Sequence, residues 1–202
     1  MKIENINIEW LGHASFKISN SKIIYIDPWK IKNNDKADLI LITHEHYDHF
    51  SLADIQKLIG DNTIIVAPEY AAPKIIGNVK TIRPREKLNI KGIEIEAVRA
   101  YNINKKFHPI EKDYIGYIIN LDNTKVYHSG DTDLIPEMRS IKTDIALLPV
   151  GGTYTMTAEE AANAANIINP KVAIPMHFGD IIGTREDAEK FKSLCKCKVE
   201  IA

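Results

Sequence analysis

An apolar run that ends in a cluster of histidines and carboxylates constrains this chain more than any other stretch. The run is Leu39–Ile42, and the cluster after it is His44-Glu45-His46-Tyr47-Asp48-His49. A short apolar run bounded by polar residues is typical of a buried strand. In an extended segment His44 and His46 point to the same side, because side chains alternate. The sequence therefore predicts a strand that delivers several metal-binding side chains at its end.

A helix is predicted directly after this cluster. Ser51 has the side chain of a helix N-cap. The apolar positions that follow it at helical spacing are Leu52, Ile55, Leu58 and Ile59. Asp48 and His49 then lie at the strand-to-helix turn. Imidazoles suit borderline metals such as zinc, and a carboxylate adds a harder ligand. Since strand and helix flank the cluster as required, we interpret it as a metal site rather than a solvated loop.

The cluster resembles the His-x-His-x-Asp-His signature of the metallo-β-lactamase superfamily. The matching residues are His44, His46, Asp48 and His49. The resemblance implies that the first two histidines bind one metal ion and that the Asp-His pair binds a second. It also implies an α/β fold, the four-layer αβ/βα sandwich, with two mixed sheets inside, helices outside and the metals at one edge.

The rest of the chain fits such a layered architecture. Strands are predicted at 23–26, 79–82, 87–90, 93–98 and 145–150, with interspersed helices. A hairpin is predicted around Asp122-Asn123, a short helix over 70–76, and a loop over 101–113. Capping pairs, Thr157 with Glu160 and Thr184 with Asp187, predict two later helices. At 202 residues the chain is long enough for a sizeable core, and we predict a single domain over residues 1–202.

Two further strings extend the resemblance. In Tyr127-His128-Ser129-Gly130-Asp131, the carboxylate of Asp131 falls where the superfamily places the ligand that bridges two metals. Gly130 would let the backbone turn sharply beside it. His177, at the end of an apolar strand, matches the last metal-ligand histidine of the family. The resemblance thus implies that both residues bind metal.

Three other residues are candidates for the pocket or for support of the ligands. The strings around His13 and His128 resemble those of small uncharacterised metal-dependent hydrolases and, more distantly, ascorbate-6-phosphate lactonases. Each histidine either lines the pocket or bonds a neighbouring backbone group. Asp27 follows a predicted strand, where it either holds a ligand histidine in its tautomer or caps a turn.

The chain departs from the family pattern at one place. The superfamily usually supplies a third histidine to the first metal after the strand that here ends at Val98, but this chain has Ala100-Tyr101-Asn102. Either His108 folds back to complete the site, or Asn102 or water replaces the histidine, or the first metal is weakly held. We favour His108, as a ligand or as a donor to the substrate oxyanion, with its loop acting as a lid.

Composition and charge narrow the class of partner. A net charge of −1 and a pI near 6.7 give no basic surface for nucleic acid or anionic membranes. No apolar run approaches a membrane span and no signal-peptide pattern is present, so we expect a cytoplasmic protein with a small-molecule substrate; homo-oligomerisation is left open. Cys195 and Cys197 are expected to be reduced thiols on a terminal strand.

The predicted activity is metal-dependent hydrolysis of an ester, lactone or phosphodiester bond. Two divalent ions can activate water and stabilise a developing oxyanion. Zinc is expected, with manganese or iron as alternatives because no cysteine stands at the Asp131 position. Asp48 and His108 are the candidate catalytic residues. Lys105 and Lys106 favour a small anionic substrate. The alternatives are a non-catalytic metal or metabolite sensor on the same fold and a nuclease-type phosphodiesterase.

Overall fold

The first part of the chain forms a seven-stranded sheet whose strands follow sequence order. The computed structural model describes residues 1–32 and 35–202. The strands of this sheet are β1 (Lys2–Ile3), β2 (Ile6–Gly12), β3 (Ser15–Ser19), β4 (Ile23–Ile26), β5 (Leu39–Leu41), β6 (Ile64–Ala67) and β7 (Asn78–Thr81). β1 to β4 pair antiparallel, and β4 to β7 pair parallel. Helix α1 (Leu52–Leu58) makes the crossover that the parallel pair β5–β6 requires.

The second part repeats this plan in a second seven-stranded sheet. Its strands are β8 (Lys87–Ile90), β9 (Ile93–Arg99), β10 (Ile115–Leu121), β11 (Thr124–His128), β12 (Ile145–Pro149), β13 (Val172–Met176) and β14 (Lys198–Val199). β8 to β11 pair antiparallel and β11 to β14 parallel. Helices α2 (Ala158–Ile168) and α3 (Arg185–Leu194) form the last two crossovers.

The two sheets face each other across one apolar core. Ile8, Ile18 and Leu41 of the first sheet and Tyr117 and Ile174 of the second belong to the same buried cluster. Outside this core, α1 packs on the first sheet, and α2 and α3 pack on the second. Burying both faces explains why the parallel strands are continuous apolar runs rather than alternating ones. The predicted four-layer αβ/βα sandwich is confirmed.

Most local predictions are confirmed and some need correction. The hairpin turns at Asp122 and Asn123, which both have positive φ, as a tight hairpin turn requires. Thr157 and Glu160 form a capping box. The helix predicted over 70–76 is wrong: only a 3-10 turn at Ala72–Lys74 forms, since Pro73 and Gly77 leave too few residues for an α-helix. Two more 3-10 turns lie at Ile110–Lys112 and Pro136–Ser140.

The C-terminal cysteines and the absence of a membrane helix complete the fold. Both cysteines are free thiols, but they precede the terminal strand, which begins only at Lys198. Cys195 is the C-cap of α3. Within the ranges 1–32 and 35–202, no helix is both long and apolar enough to cross a bilayer.

Parallel strands direct the polar residues of interest to one edge. Asp27 follows β4, the histidine cluster follows β5, Asp131 follows β11 and His177 follows β13. Because the carboxyl ends of parallel strands lie at the same edge, these residues come together although the sequence separates them widely.

Candidate metal centre

Three imidazole nitrogens lie close together beside the carboxyl end of β5. His44 Nε2 lies 3.1 Å from His46 Nδ1, and His108 Nε2 lies 3.0 Å from the same His46 nitrogen. His44 and His108 are buried, and His46 is half-buried. This set forms one group of side chains that could hold a cation.

The loop over 101–113 is folded so that His108 reaches this group. The Asn102 amide N–H donates to the His108 carbonyl at 2.8 Å, and the Asn102 side-chain Nδ2 donates to the Phe107 carbonyl at 2.8 Å. His108 takes a left-handed φ of 55° at this turn. The Asn102 Nδ2 thus donates to backbone carbonyls and lies 3.2 Å from His108 Nδ1. Of the alternatives for the third ligand of the first metal, the geometry favours His108, whose Nε2 meets His46.

A second group lies beside the first. It contains Asp48, His49 and His177, together with His13. The Nε2 atoms of His49 and His177 each lie 3.9 Å from Asp48 Oδ2, and His13 Nε2 lies 2.9 Å from that oxygen. The positive φ of His13, 50°, follows the Gly12 turn that carries its side chain here from the first hairpin.

Asp131 stands between the two groups. Its Oδ1 lies 3.2 Å from His49 Nε2, and its Oδ2 lies 3.1 Å from His177 Nε2 and 3.3 Å from His108 Nε2. Gly130 is required at the preceding position: its φ is +62°, and a Cβ there would lie 2.7 Å from the Ile115 carbonyl oxygen. The carboxylate therefore contacts histidines of both groups.

Hydrogen bonds behind the histidines fix which nitrogen faces the centre. Thr43 Oγ1 donates to Asp27 Oδ2 at 2.6 Å, so at 2.9 Å from His44 Nδ1 the same oxygen must accept the ring N–H. His49 Nδ1 lies 2.7 Å from Asp27 Oδ2 and donates to it. Each ring then points its Nε2 into the centre, the orientation that a metal-binding imidazole needs. Asp27 thus contacts the back of His49, as sequence analysis proposed.

Unpaired buried atoms test whether a metal fits. His49 Nε2, His177 Nε2 and Asp131 Oδ1 are buried, and although the two nitrogens lie within 3.2 Å of the Asp131 carboxylate, none of the three atoms has a partner in good hydrogen-bond geometry. Buried polar atoms are rarely left so, unless an ion or water completes them. Bonds of about 2.0–2.1 Å around a tetrahedral ion would separate neighbouring ligand atoms by about 3.3 Å. The contacts among His44, His46 and His108 and those of Asp131, at 3.0–3.3 Å, match that spacing, whereas Asp48 lies 3.9 Å from His49 and His177. The donors therefore fit a divalent cation, most closely around Asp131.

The electrostatics place Asp131, His44 and His108 in the protonation states that metal ligands need, whereas His49 keeps a proton that a metal ion would have to displace. Burial opposes ionisation of Asp131, but His177 and His49 outweigh it and hold the pKa of the carboxyl well below its usual range. Burial lowers the pKa of His44 well below its usual range and that of His108 to about 4. For His49, burial is outweighed by the Asp131 and Asp27 carboxylates, and its pKa is raised well above the usual range. Neutral imidazoles and an ionised carboxylate are the binding forms.

Of the two alternatives for His128, the structure supports the bonds to neighbouring backbone groups, and the residue is not among those that line the pocket. Its Nε2 donates to the Ala14 carbonyl at 2.9 Å, and its Nδ1 accepts from the Gly130 N–H at 3.1 Å. Both ring nitrogens of His128 therefore form hydrogen bonds with backbone groups. The residue ties the turn that carries His13 to the turn that carries Asp131.

A pocket of about 260 Å³ opens over the centre. Its lining residues are His46, Tyr47, Asp48, Phe107, His108, Asp131, Tyr154, His177 and Ile181. Sequence analysis missed Tyr47, Phe107, Tyr154 and Ile181 as site residues. Phe107 offered the best signal, because an aromatic residue in a polar loop directly precedes a candidate ligand. A larger groove, of about 690 Å³, lies over β8 to β11, and among the residues that the structure describes its lining includes none of the histidines or aspartates of this centre.

The lysine pair does not meet the pocket as predicted. Lys105 Nζ pairs with Asp133 Oδ1, and neither Lys105 nor Lys106 belongs to the pocket lining. Asp133 is buried, and a buried carboxylate needs such a partner. Lys105 therefore gives no support for an anionic substrate.

Comparison with known proteins agrees with the fold and with a metal-dependent hydrolase. Residues 7–177 match the family described as beta-lactamase superfamily domain. A UPF0173 metal-dependent hydrolase of Thermoplasma acidophilum is 34% identical over 95% of this chain and 92% of its own. A crystal structure from Parabacteroides distasonis is 36% identical, with a TM-score of 0.88 over 97% of this chain and 92% of that one. Igni18, a metallo hydrolase of Ignicoccus hospitalis, is 26% identical, with a TM-score of 0.81 over 98% and 94%.

The chain therefore belongs to the beta-lactamase superfamily. Within it, the chain groups with the UPF0173 metal-dependent hydrolases and is an enzyme of the hydrolase class. The resemblance stated from the histidine cluster is confirmed.

Proposed function

We propose that the protein uses two divalent metal ions to hydrolyse an ester, lactone or phosphodiester bond of a small molecule. The residues assigned to the first ion are His44, His46 and His108; those assigned to the second are Asp48, His49 and His177; Asp131 is shared. The observation that carries the proposal is the position of Asp131, within 3.3 Å of histidines of both groups. The nitrogen-rich donor set favours zinc over harder ions.

The residues around the ions have separate tasks. When bound, the two ions would lower the pKa of a water molecule and polarise the oxygen of the scissile group. Burial opposes ionisation of Asp48, but the His13 hydrogen bond and the charge of His49 hold its pKa at about 2. Asp48 is thus a carboxylate that can orient the attacking water, and His13 keeps its Oδ2 in place.

The reaction balances with water as the only co-reactant. The water oxygen forms a bond to the acyl carbon or phosphorus, the bond from that atom to the leaving oxygen breaks, and a water proton passes to the leaving oxygen. His108 is assigned as a ligand rather than as an oxyanion donor, because its Nε2 points at His46 Nδ1 and Asp131. The pocket volume supports a small substrate.

Element analysis of purified protein, combined with an activity panel, tests this function. We expect two equivalents of metal per chain and hydrolysis of at least one of three classes: carboxylic esters, lactones and phosphodiesters. Asp131→Ala should lose both metal and activity, whereas Asp61→Ala, which alters an exposed carboxylate, should lose neither. Full metal content and activity in Asp131→Ala would contradict the shared role. A metal-loaded protein that hydrolyses none of the three classes would favour the sensor.

A further inference from the structure

Large apolar side chains form the outer wall of the pocket. Tyr47 is 67% exposed, Phe107 48% and Ile181 37%. They surround the opening to a centre made of charged and imidazole groups. Clustered exposed hydrophobic residues at a concave site are typical of a ligand-binding surface rather than of ordinary protein surface.

This wall is preformed. The rings of Phe107 and Tyr154 meet edge to face, with their centroids 4.8 Å apart. Tyr47 packs against Trp29 at 6.1 Å. The turn that carries Ile181 is closed by a hydrogen bond from the Gly179 N–H to the Gly183 carbonyl at 3.1 Å. A preformed apolar wall can bind an apolar group without first ordering itself.

The wall offers no positive charge to a substrate. Within the described ranges, no lysine or arginine belongs to the pocket lining. Of the nearby cations, Lys30 pairs with Asp180 at 3.1 Å and Lys105 with Asp133. An ionised group placed against this wall would lose its hydration without gaining a partner, which is costly.

We infer that the substrate carries a neutral apolar group, about the size of a phenyl ring, directly beside the hydrolysed bond, and no second ionised group. This inference rests on the proposed function, because the metal centre fixes where the bond lies. The volume supports it: apolar cavities of about 150 Å³ bind benzene, and this pocket measures about 260 Å³.

Two esters that differ only in a distal charge test the inference. Phenyl acetate is neutral, and 4-acetoxybenzoate carries a carboxylate opposite the ester. With the zinc-loaded protein we expect kcat/KM to be roughly tenfold higher for phenyl acetate, the range of discrimination that pocket contacts provide. Binding of the products, phenol and 4-hydroxybenzoate, measured by ligand-observed NMR, should show the same order. Equal values or the reverse order in both measurements would overturn the inference.

Variants of the wall distinguish its effect on substrate binding from any effect on the metal centre. Phe107→Ala should raise KM for phenyl acetate more than it lowers kcat, at unchanged zinc content. Ile103→Ala, which alters an exposed residue of the same loop outside the lining, should change neither. Ile181→Lys should shift the preference toward 4-acetoxybenzoate. A KM unchanged in Phe107→Ala, or a preference unchanged in Ile181→Lys, would contradict the wall's role.

The two proposals fail in distinguishable ways. If the protein hydrolyses 4-acetoxybenzoate and phenyl acetate with equal kcat/KM, the proposed function stands and the inferred substrate class is wrong. A zinc-loaded protein that is inactive on all panels loses the proposed function. In that case the NMR measurement still compares the binding of a neutral and a charged ligand, so it tests the inferred substrate class without relying on activity.

Discussion

The side-chain Nδ2 of Asn102 donates to the carbonyl oxygen of Tyr154 at 2.7 Å, across 52 residues of sequence. Its other hydrogen goes to the Phe107 carbonyl. One buried amide thus joins the loop that presents His108 to the segment that follows β12. Where this chain lacks the third histidine of the family pattern, it has the residue that holds a later histidine in place.

Asn102→Ala should therefore weaken the first metal site. It leaves two carbonyls without their donor, which costs about 1–3 kcal/mol for buried groups. We expect a lower unfolding temperature and loss of one metal equivalent, measured by calorimetry and element analysis. Asn104→Ala changes an exposed asparagine two residues away and serves as the control. An Asn102→Ala protein with both metals and normal stability would show that His108 does not depend on this amide.

Thr43→Val should reduce metal affinity without removing any ligand. The change deletes the hydroxyl that accepts from His44 Nδ1 and donates to Asp27. Substitution of such supporting partners typically costs about 10–100-fold in metal affinity. Thr43→Ser keeps the hydroxyl and should bind metal normally. Competition with a chromophoric chelator measures both constants, and equal affinities for the Val and Ser variants would exclude the tautomer argument.

His128→Gln should reduce the acid sensitivity of the metal-free protein. Burial lowers the pKa of His128 below 6.5, so the unfolded chain takes up this proton first as the pH falls. The contribution to stability is fully present above pH 6.5 and is lost below it, at up to about 1.4 kcal/mol per pH unit. Glutamine can keep a donor to Ala14 but does not titrate. Urea unfolding with chelator between pH 7 and 5 should give a shallower dependence for the variant; an identical slope would contradict this.

Gly116→Ala should destabilise the second sheet. A Cβ at this β10 position would lie 2.6 Å from the carbonyl oxygens of both His128 and Ser129, which are backbone atoms and cannot rotate away. Overpacking of this kind typically costs about 1–3 kcal/mol. Gly60→Ala is the control, because its closest contact is 3.2 Å, to Lys36 Cβ, and no backbone atom lies among its nearest contacts. Chemical unfolding of both variants measures the difference, and similar losses would indicate that β10 adjusts.

The features that could be predicted from the sequence are those that depend on local residue patterns. The strand before His44, the Ser51 cap and the capping box at Thr157 depend on neighbours within a few residues, and all are confirmed. The layered fold followed from the resemblance that the histidine cluster carries.

The remaining features depend on residues that are distant in sequence. Whether His128 faces the pocket depends on the Ala14 carbonyl, 114 residues away. The partner of Lys105 lies 28 residues later, at Asp133. Tyr154 and Ile181 join the pocket only because the sheet places their loops beside the centre. The periodicity and spacing of residues in a single sequence do not reveal such contacts between distant residues.

The division of the chain into two sheets has a consequence for the centre. The histidine cluster and Asp27 come from residues before the 82–86 connection, whereas His108, Asp131 and His177 come from residues after it. Neither half contains all the residues that we assign to the two ions, so under this assignment the centre lies between the two halves. Two fragments cut within 82–86 would each be poor chelators, and their reassociation should become tighter in the presence of zinc. The ions would then stabilise the association of the two halves in addition to their catalytic role. A chelator would weaken that association.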